Sequence, residues 1–249
     1  MKKLLFIMDT FPLGGISKSL LALFNEIEGQ YDIDFLLMQK EGLFVPLIPK
    51  SINVLPGVLE PEFRNPHPKN IICNFGTMKF SRWLLWLEYS MRCTLSKLTG
   101  GLKKMVCTMD VFIGKHSRPL GRHYDAAIAY QGGRCIYYLV ENVNADIKIG
   151  YVHSNYSVNP TDYMLKPSDI KYFPQLDYIV TISQICLNSL YNEFPTIKDR
   201  CLMIENICSP KMIKVMAQKG DTYEDKFSGV RLVSMGRFDI HIKGMDIAI

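Results

Sequence analysis

The chain has no C-x-x-C pair. Its seven cysteines, at 73, 93, 107, 135, 186, 201 and 208, are scattered and odd in number. Neither a zinc framework nor a disulfide framework fits that arrangement, and a reducing cytosol suits it best. No apolar run approaches ~20 residues, so nothing reads as a membrane span. The opening Met-Lys-Lys-Leu-Leu-Phe-Ile-Met starts like a secretory leader. Asp9 ends that stretch early, however, and Pro12-Leu-Gly-Gly stands where a longer apolar region belongs, so a buried first strand is the better reading. There is no G-x-G-x-x-G, which removes the dinucleotide fingerprint. Lys18-Ser19 lacks the preceding glycine that a phosphate loop needs. Internal repeats, low-complexity tracts and nucleic-acid-binding motifs are missing too, and no nucleic acid partner is expected.

What is present is a chain of 249 residues, 48% apolar, ample for a core. Leu4–Met8 is a short continuous apolar run, and short, mainly apolar stretches follow at Ile33–Met38, Ile52–Leu55 (the weaker third), Ala126–Tyr130, Ile147–Val152, Tyr178–Ile182 and Cys201–Ile204. Continuity, rather than alternation, marks strands buried on both faces. Helical spacing separates most of them, over Ile16–Ile27, Arg134–Val143, Pro167–Tyr172 and Ser183–Tyr191. This alternation predicts an α/β fold: a Rossmann-like, mostly parallel sheet with helices on both faces.

Residues 60–122 break the rhythm and read as a helical insertion. Between Arg64 and Arg122 stand eleven Lys and Arg against Glu88 and Asp110, whereas the whole chain is only +5, so the remainder is net acidic. Phe80, Leu84, Leu87, Met91, Leu95 and Leu98 repeat at helical spacing, with Trp83 and Trp86 beside them and Lys79, Arg82, Arg92 and Lys97 on other faces. Two readings stay open. One is a core-packing helix whose charges face water. The other is peripheral contact with an anionic membrane through 79–104.

The tail predicts a strand from Val230 to Met235, running into Gly236-Arg237 and, six residues later, Lys243-Gly244. Two cations at a strand's carboxyl end suit a diphosphate, arginine by forked contacts and lysine as a point charge. The expected organisation is a domain over 1–210, a linker over 211–228, and the start of a second Rossmann-like domain over 229–249.

Other candidates fall at strand ends. Gly14-Gly15 follow the first strand and open a helix, which fits either an anion at bare backbone N–H groups or a tight turn with positive φ. His153 should emerge at the carboxyl edge of the sheet, as a structural hydrogen-bonding residue or a functional one. Gln131-Gly132-Gly133 is a cleft-edge loop or a turn. Ser183 is placed to cap the next helix.

The order Gly14-Gly15, His153, Asn206 and then G-R-x5-K-G resembles the glycosyltransferases of family 4, retaining enzymes of two-domain GT-B architecture. Ile149–Tyr156 and Ile204–Pro210 look like members that build bacterial capsular and other surface polysaccharides. The resemblance implies a transferase moving a sugar from a nucleotide diphosphate donor to a glycan or lipid-linked acceptor. It would be cytoplasmic, on the inner face of the cell membrane if it docks there. It implies that His153 contacts sugar or acceptor, that Arg237 and Lys243 hold the donor diphosphate with the Gly14-Gly15 loop nearby, and that Gln131, Gly132, Ser183 and Asn206 stand at the cleft. Isoleucine replaces the family's glycine after Asn206, so a turn or hinge role suits that residue better. Members of this fold usually work without a bound metal, so neither metal nor cofactor is expected. The family's donor-sugar contacts belong to sequence beyond Ile249, so this chain alone is expected to be inactive. The alternatives are a non-catalytic glycan- or membrane-binding remnant and a GT-B sugar-nucleotide epimerase.

Overall fold

Seven strands form where the sequence carries its short apolar runs. They are β1 (Lys3–Met8), β2 (Asp32–Leu37), β3 (Asn53–Leu55), β4 (His123–Ala129), β5 (Asn144–Val152), β6 (Tyr178–Thr181) and β7 (Cys201–Met203). They hydrogen-bond in one sheet, every neighbour parallel, in the order β3-β2-β1-β4-β5-β6-β7. The predicted α/β class is what the molecule adopts. The computed structural model describes residues 1–59, 80–158, 160–218 and 227–230. Arg237, Lys243 and the strand expected around them lie outside the described residues, as do 60–79 of the insertion. The chain divides into two units, Met1–Ser209 and Pro210–Ile249. Helix α6 (Pro210–Ala217) opens the second unit and overlaps the stretch expected as a linker.

Helices fill the crossovers of the first unit: α1 (Gly15–Glu26), α2 (Phe80–His116), α3 (Arg134–Asn142), α4 (Pro160–Tyr172) and α5 (Gln184–Glu193). Alternate side chains of β1 serve opposite faces, as the pleat requires. Phe6 packs edge-on against Phe24 of α1 at 5.2 Å, and Phe24 against Phe35 of β2 at 5.1 Å. Leu5 and Ile7, both fully buried, join Ile136, Tyr137 and Leu139 of α3 on the other face. Each such side chain contributes roughly 1.5–3 kcal/mol by burial.

The insertion is a helical hairpin. Gly101 breaks α2 with φ 68° and ψ −161°. Beyond the break the chain folds back, because Ser96 Oγ and Thr108 Oγ1 lie 2.7 Å apart. In a straight helix twelve residues would span ~18 Å. The second arm approaches α3 closely at Gly114, where a Cβ would stand 2.8 Å from Tyr137 Cβ.

The helix packs on the core as read, through Tyr89, Cys93, Phe112 and Ile113, but the leucine stripe is not the face that does so. Leu84, Leu87, Met91, Leu95 and Leu98 are exposed, while Tyr89, Cys93 and Ser96 are buried. Arms that meet at hydrogen-bonding distance favour short side chains at the seam, and the longer aliphatic ones turn outward. Among the described residues no helix is long and apolar enough to cross a membrane.

Candidate functional site

Strands β2 and β4 flank β1, and the connections leaving β1 and β4 run to opposite faces of the sheet. That divergence opens a crevice at the carboxyl edge, where sheets of this class bind ligands. A cavity of about 400 Å³ occupies it, with Asp9 from the end of β1, Gln131 and Gly132 after β4, and His153 after β5 in its wall. Gln131 and His153, candidates picked from different strand ends, therefore share one cavity with Gly132.

The loop after β4 is fixed from both sides. The Asp9 backbone N–H donates to Gln131 Oε1 at 3.2 Å. Gly133 has φ 66°, the conformation that favours glycine, and so turns the chain directly into α3. Arg134, the first residue of α3, donates from Nη2 to Asp110 at 2.8 Å and from Nε to the same oxygen at 2.9 Å. Its Nη1 lies 3.8 Å from Asp9. Burial pushes the Asp110 carboxyl above its usual range, and the Arg134 charge pulls it part of the way back. The cavity also reaches Asp169 of α4, which accepts from Tyr137 Oη at 2.8 Å and from Tyr156 Oη at 2.7 Å.

His153 is held by its backbone and its neighbours. Its Nε2 donates to the Tyr130 carbonyl at 3.0 Å, and its ring stacks on Tyr151 at 5.3 Å. Burial lowers its pKa to about 4, only partly opposed by the bond to Tyr130. The ring is neutral near pH 7 and its Nε2–H is committed, so Nδ1 presents a lone pair. That atom is buried and has no hydrogen-bond partner among the described residues. It can accept from a hydroxyl; it can neither donate to one nor steady phosphate as an imidazolium. Among the described lining residues three aspartates stand against one arginine, a balance that favours hydroxyl donors over anions.

The other candidates sit at or beyond the rim. Gly14 is extended and Gly15 does not take positive φ, so the tight-turn explanation of that pair does not hold. A Cβ on either would meet nothing within 4 Å. Their neighbour Ile16 borders the cavity, and α1 starts without a side-chain cap. Ser183 caps α5, accepting from the Cys186 N–H at 3.3 Å, and does not line the cavity. Asn206 Oδ1 accepts from Ser19 Oγ at 3.1 Å, and Ser19 lies 2.9 Å from Tyr130 Oη. Asn206 thus ties the chain after β7 to α1, as a turn or hinge residue would.

Sequence reasoning missed Asp9, Arg134, Asp110 and Asp169. Asp9 carried a signal, since it follows an apolar strand at the same edge as His153. Asp110 and Asp169 sit mid-helix and carried none. The sequence also holds one Asp-x-Asp triplet, Asp32-Ile33-Asp34, at the amino end of β2 and so at the edge opposite the cavity. Asp34 is 2% exposed and accepts from Tyr124 Oη at 2.7 Å and Arg122 Nη1 at 3.1 Å, which makes it a structural anchor. Among the described residues no three His, Cys, Asp or Glu side chains form a metal-binding group.

No family model and no curated protein matches the chain. Among solved structures it is similar to HepE from Anabaena. The crystal structure with UDP-glucose aligns at 12% identity and TM-score 0.45, that with UDP and glucose at 13% and 0.43, and that with UDP at 14% and 0.41. Each alignment covers 88% of this chain and 50% of HepE, so the chain spans about half the length of that protein.

Proposed function

We propose that this chain carries the acceptor side of a nucleotide-sugar glycosyltransferase, of retaining GT-B type and similar to family 4. Its reaction moves a sugar from a nucleoside diphosphate to a hydroxyl of a glycan or lipid-linked glycan in surface polysaccharide synthesis. One observation carries the reading: the switch-point cavity gathers Gln131, Gly132 and His153, residues singled out from separate strand ends, around an Nδ1 acceptor that has no partner among the described residues.

The chemistry follows from that arrangement. The bond from the sugar's anomeric carbon to the diphosphate breaks, a bond to the acceptor oxygen forms on the same face, and the hydroxyl proton passes to the departing phosphate oxygen. No strong protein base is needed, which suits an imidazole whose pKa is lowered to about 4. His153 instead accepts a hydrogen bond from a sugar hydroxyl and orients it. The balance of lining charges favours a neutral glycan. Developing charge on the diphosphate is assigned, from sequence spacing alone, to Arg237 and Lys243.

Carboxylates in the cavity are also what a sugar-nucleotide epimerase would use, so the assay must read both products. The protein is incubated with nucleotide sugars and neutral disaccharides. Saturation-transfer NMR follows glycan binding, and chromatography follows nucleoside diphosphate and isomerised nucleotide sugar. Binding of a neutral disaccharide that is lost in His153→Phe supports the acceptor role. Isomerised donor without glycan binding supports the epimerase, and glycan binding unchanged in His153→Phe removes the histidine from the site.

A further inference from the structure

A second cavity, of about 460 Å³, lies between the α2 hairpin, α3 and α4, and it shares no lining residue with the switch-point crevice. That size is ordinary for a small-molecule site. Helical spacing builds its walls: Val111 and Lys115, and likewise Phe112 and His116, stand one turn apart on the second arm, as Ser168 and Tyr172 do on α4. Its charged lining is Arg92, Lys115 and Lys171 against Glu88 and Glu141. Both acids are engaged. Glu88 accepts from Arg92 Nη2 at 2.7 Å. Glu141 accepts the Tyr172 hydroxyl at 2.7 Å, and its charge also acts on Lys148 of β5. Lys115 and Lys171 form no ion pair among the described residues. Lys171 Nζ rests over the Tyr172 ring, 5.3 Å from its centroid, which orients the ammonium and leaves its charge uncancelled.

We propose that this cavity binds a small phosphate monoester with an apolar or ring-shaped body, its phosphate held by Lys115 and Lys171 and its body against Phe112 and Tyr172. Like charges gathered at one concavity repel each other in the free protein, and a bound anion removes that cost. A third group serves the same end. The His116 ring stacks on Phe112 with centroids 4.1 Å apart, and its Nδ1 donates to the Phe112 carbonyl at 2.9 Å. The ring is thereby fixed, and Nε2 is the nitrogen left for a ligand. It can accept from the hydroxyl of a singly charged phosphate or, once protonated, donate to the doubly charged one. Two ammonium groups beside an imidazole match the charge of a phosphate monoester, close to −2 at neutral pH, better than that of a lone carboxylate. Phe112 and Tyr172 supply apolar wall where inorganic phosphate alone would leave it uncovered.

This inference does not depend on the transferase reading, and its test uses no nucleotide sugar and no glycan. Phenyl phosphate, inorganic phosphate and phenol are titrated into the protein by calorimetry. Imidazole resonances are followed in parallel, with His116 assigned through His116→Gln. Phenyl phosphate should bind saturably and more tightly than inorganic phosphate, phenol should not bind, and the His116 signals should move while those of His153 stay. An ion pair that water can reach contributes up to about fivefold in affinity. Lys115→Gln/Lys171→Gln should therefore weaken phenyl phosphate binding up to ~25-fold. Both lysines are exposed, so circular dichroism and thermal unfolding of that variant should stay at wild-type values. Absence of saturable phenyl phosphate binding, or equal affinity in the lysine variant, would overturn the proposal. So would inorganic phosphate binding as tightly as the ester, or resonance shifts at His153 in place of His116.

Discussion

Replacing Arg134 with methionine should cost the fold about 3 kcal/mol at neutral pH. Methionine keeps much of the aliphatic packing and removes the guanidinium, leaving Asp110, whose side chain is only 14% exposed, without its cation. Removing one partner of a buried pair typically costs ~3–5 kcal/mol, and Arg134 is itself a quarter exposed, which places the loss at the low end. The penalty should depend on pH. Burial already raises the Asp110 carboxyl, and losing Arg134 raises it further, so the folded state holds that proton more tightly than the unfolded chain does. The difference from wild type should be small below ~4, the ordinary carboxylate value, and should grow as pH climbs to the folded value. Urea unfolding at pH 4 and pH 8 reads both numbers. Arg134→Met/Asp110→Asn should recover at least half of the loss at pH 8. A loss below ~1 kcal/mol, or a double variant no better than the single, would mean that the pair behaves like a solvated surface bridge.

Three further outcomes are expected. Tyr156→Phe deletes a 2.7 Å hydrogen bond to the Asp169 carboxylate and should cost about 1.5–3 kcal/mol in urea unfolding. Gly114→Ala puts a methyl 2.8 Å from Tyr137 Cβ and should cost about 1–3 kcal/mol, seen as a lower Tm with an unchanged far-ultraviolet spectrum. His153, with a folded pKa lowered to about 4, stabilises fully above its unfolded value near 6.5 and loses that contribution as pH falls through this window. The loss is on the order of 3 kcal/mol, and His153→Phe should flatten that part of the pH–stability curve.

The sheet was legible because every strand carries a short, mainly apolar stretch, as the covered faces of a parallel sheet require. Ser183 as a cap and His153 at the sheet edge followed from position alone. The hairpin was not legible in the same way. Hydropathy makes Leu84, Leu87, Met91, Leu95 and Leu98 the obvious buried face, whereas packing between two close arms selects Cys93, Ser96 and Thr108. Period-matching finds an apolar face without saying which face meets a partner. The Asp9–Arg134–Asp110 cluster was hidden for another reason: its members stand on β1's end, α3 and α2, and only the crossover order brings them together. The conformation of the glycines was also illegible, since Gly133 takes the positive φ and Gly14 does not.

The account rests on a neutral His153 whose Nδ1 waits for a sugar hydroxyl in the switch-point cavity. A long-range ¹H–¹⁵N spectrum of the imidazole, recorded with and without a saturating neutral disaccharide, tests it most directly. The account predicts an Nε2–H tautomer that persists to pH 5 and an Nδ1 resonance that moves when the glycan is added. An imidazolium at pH 6, or an Nδ1 signal indifferent to bound glycan, would contradict it.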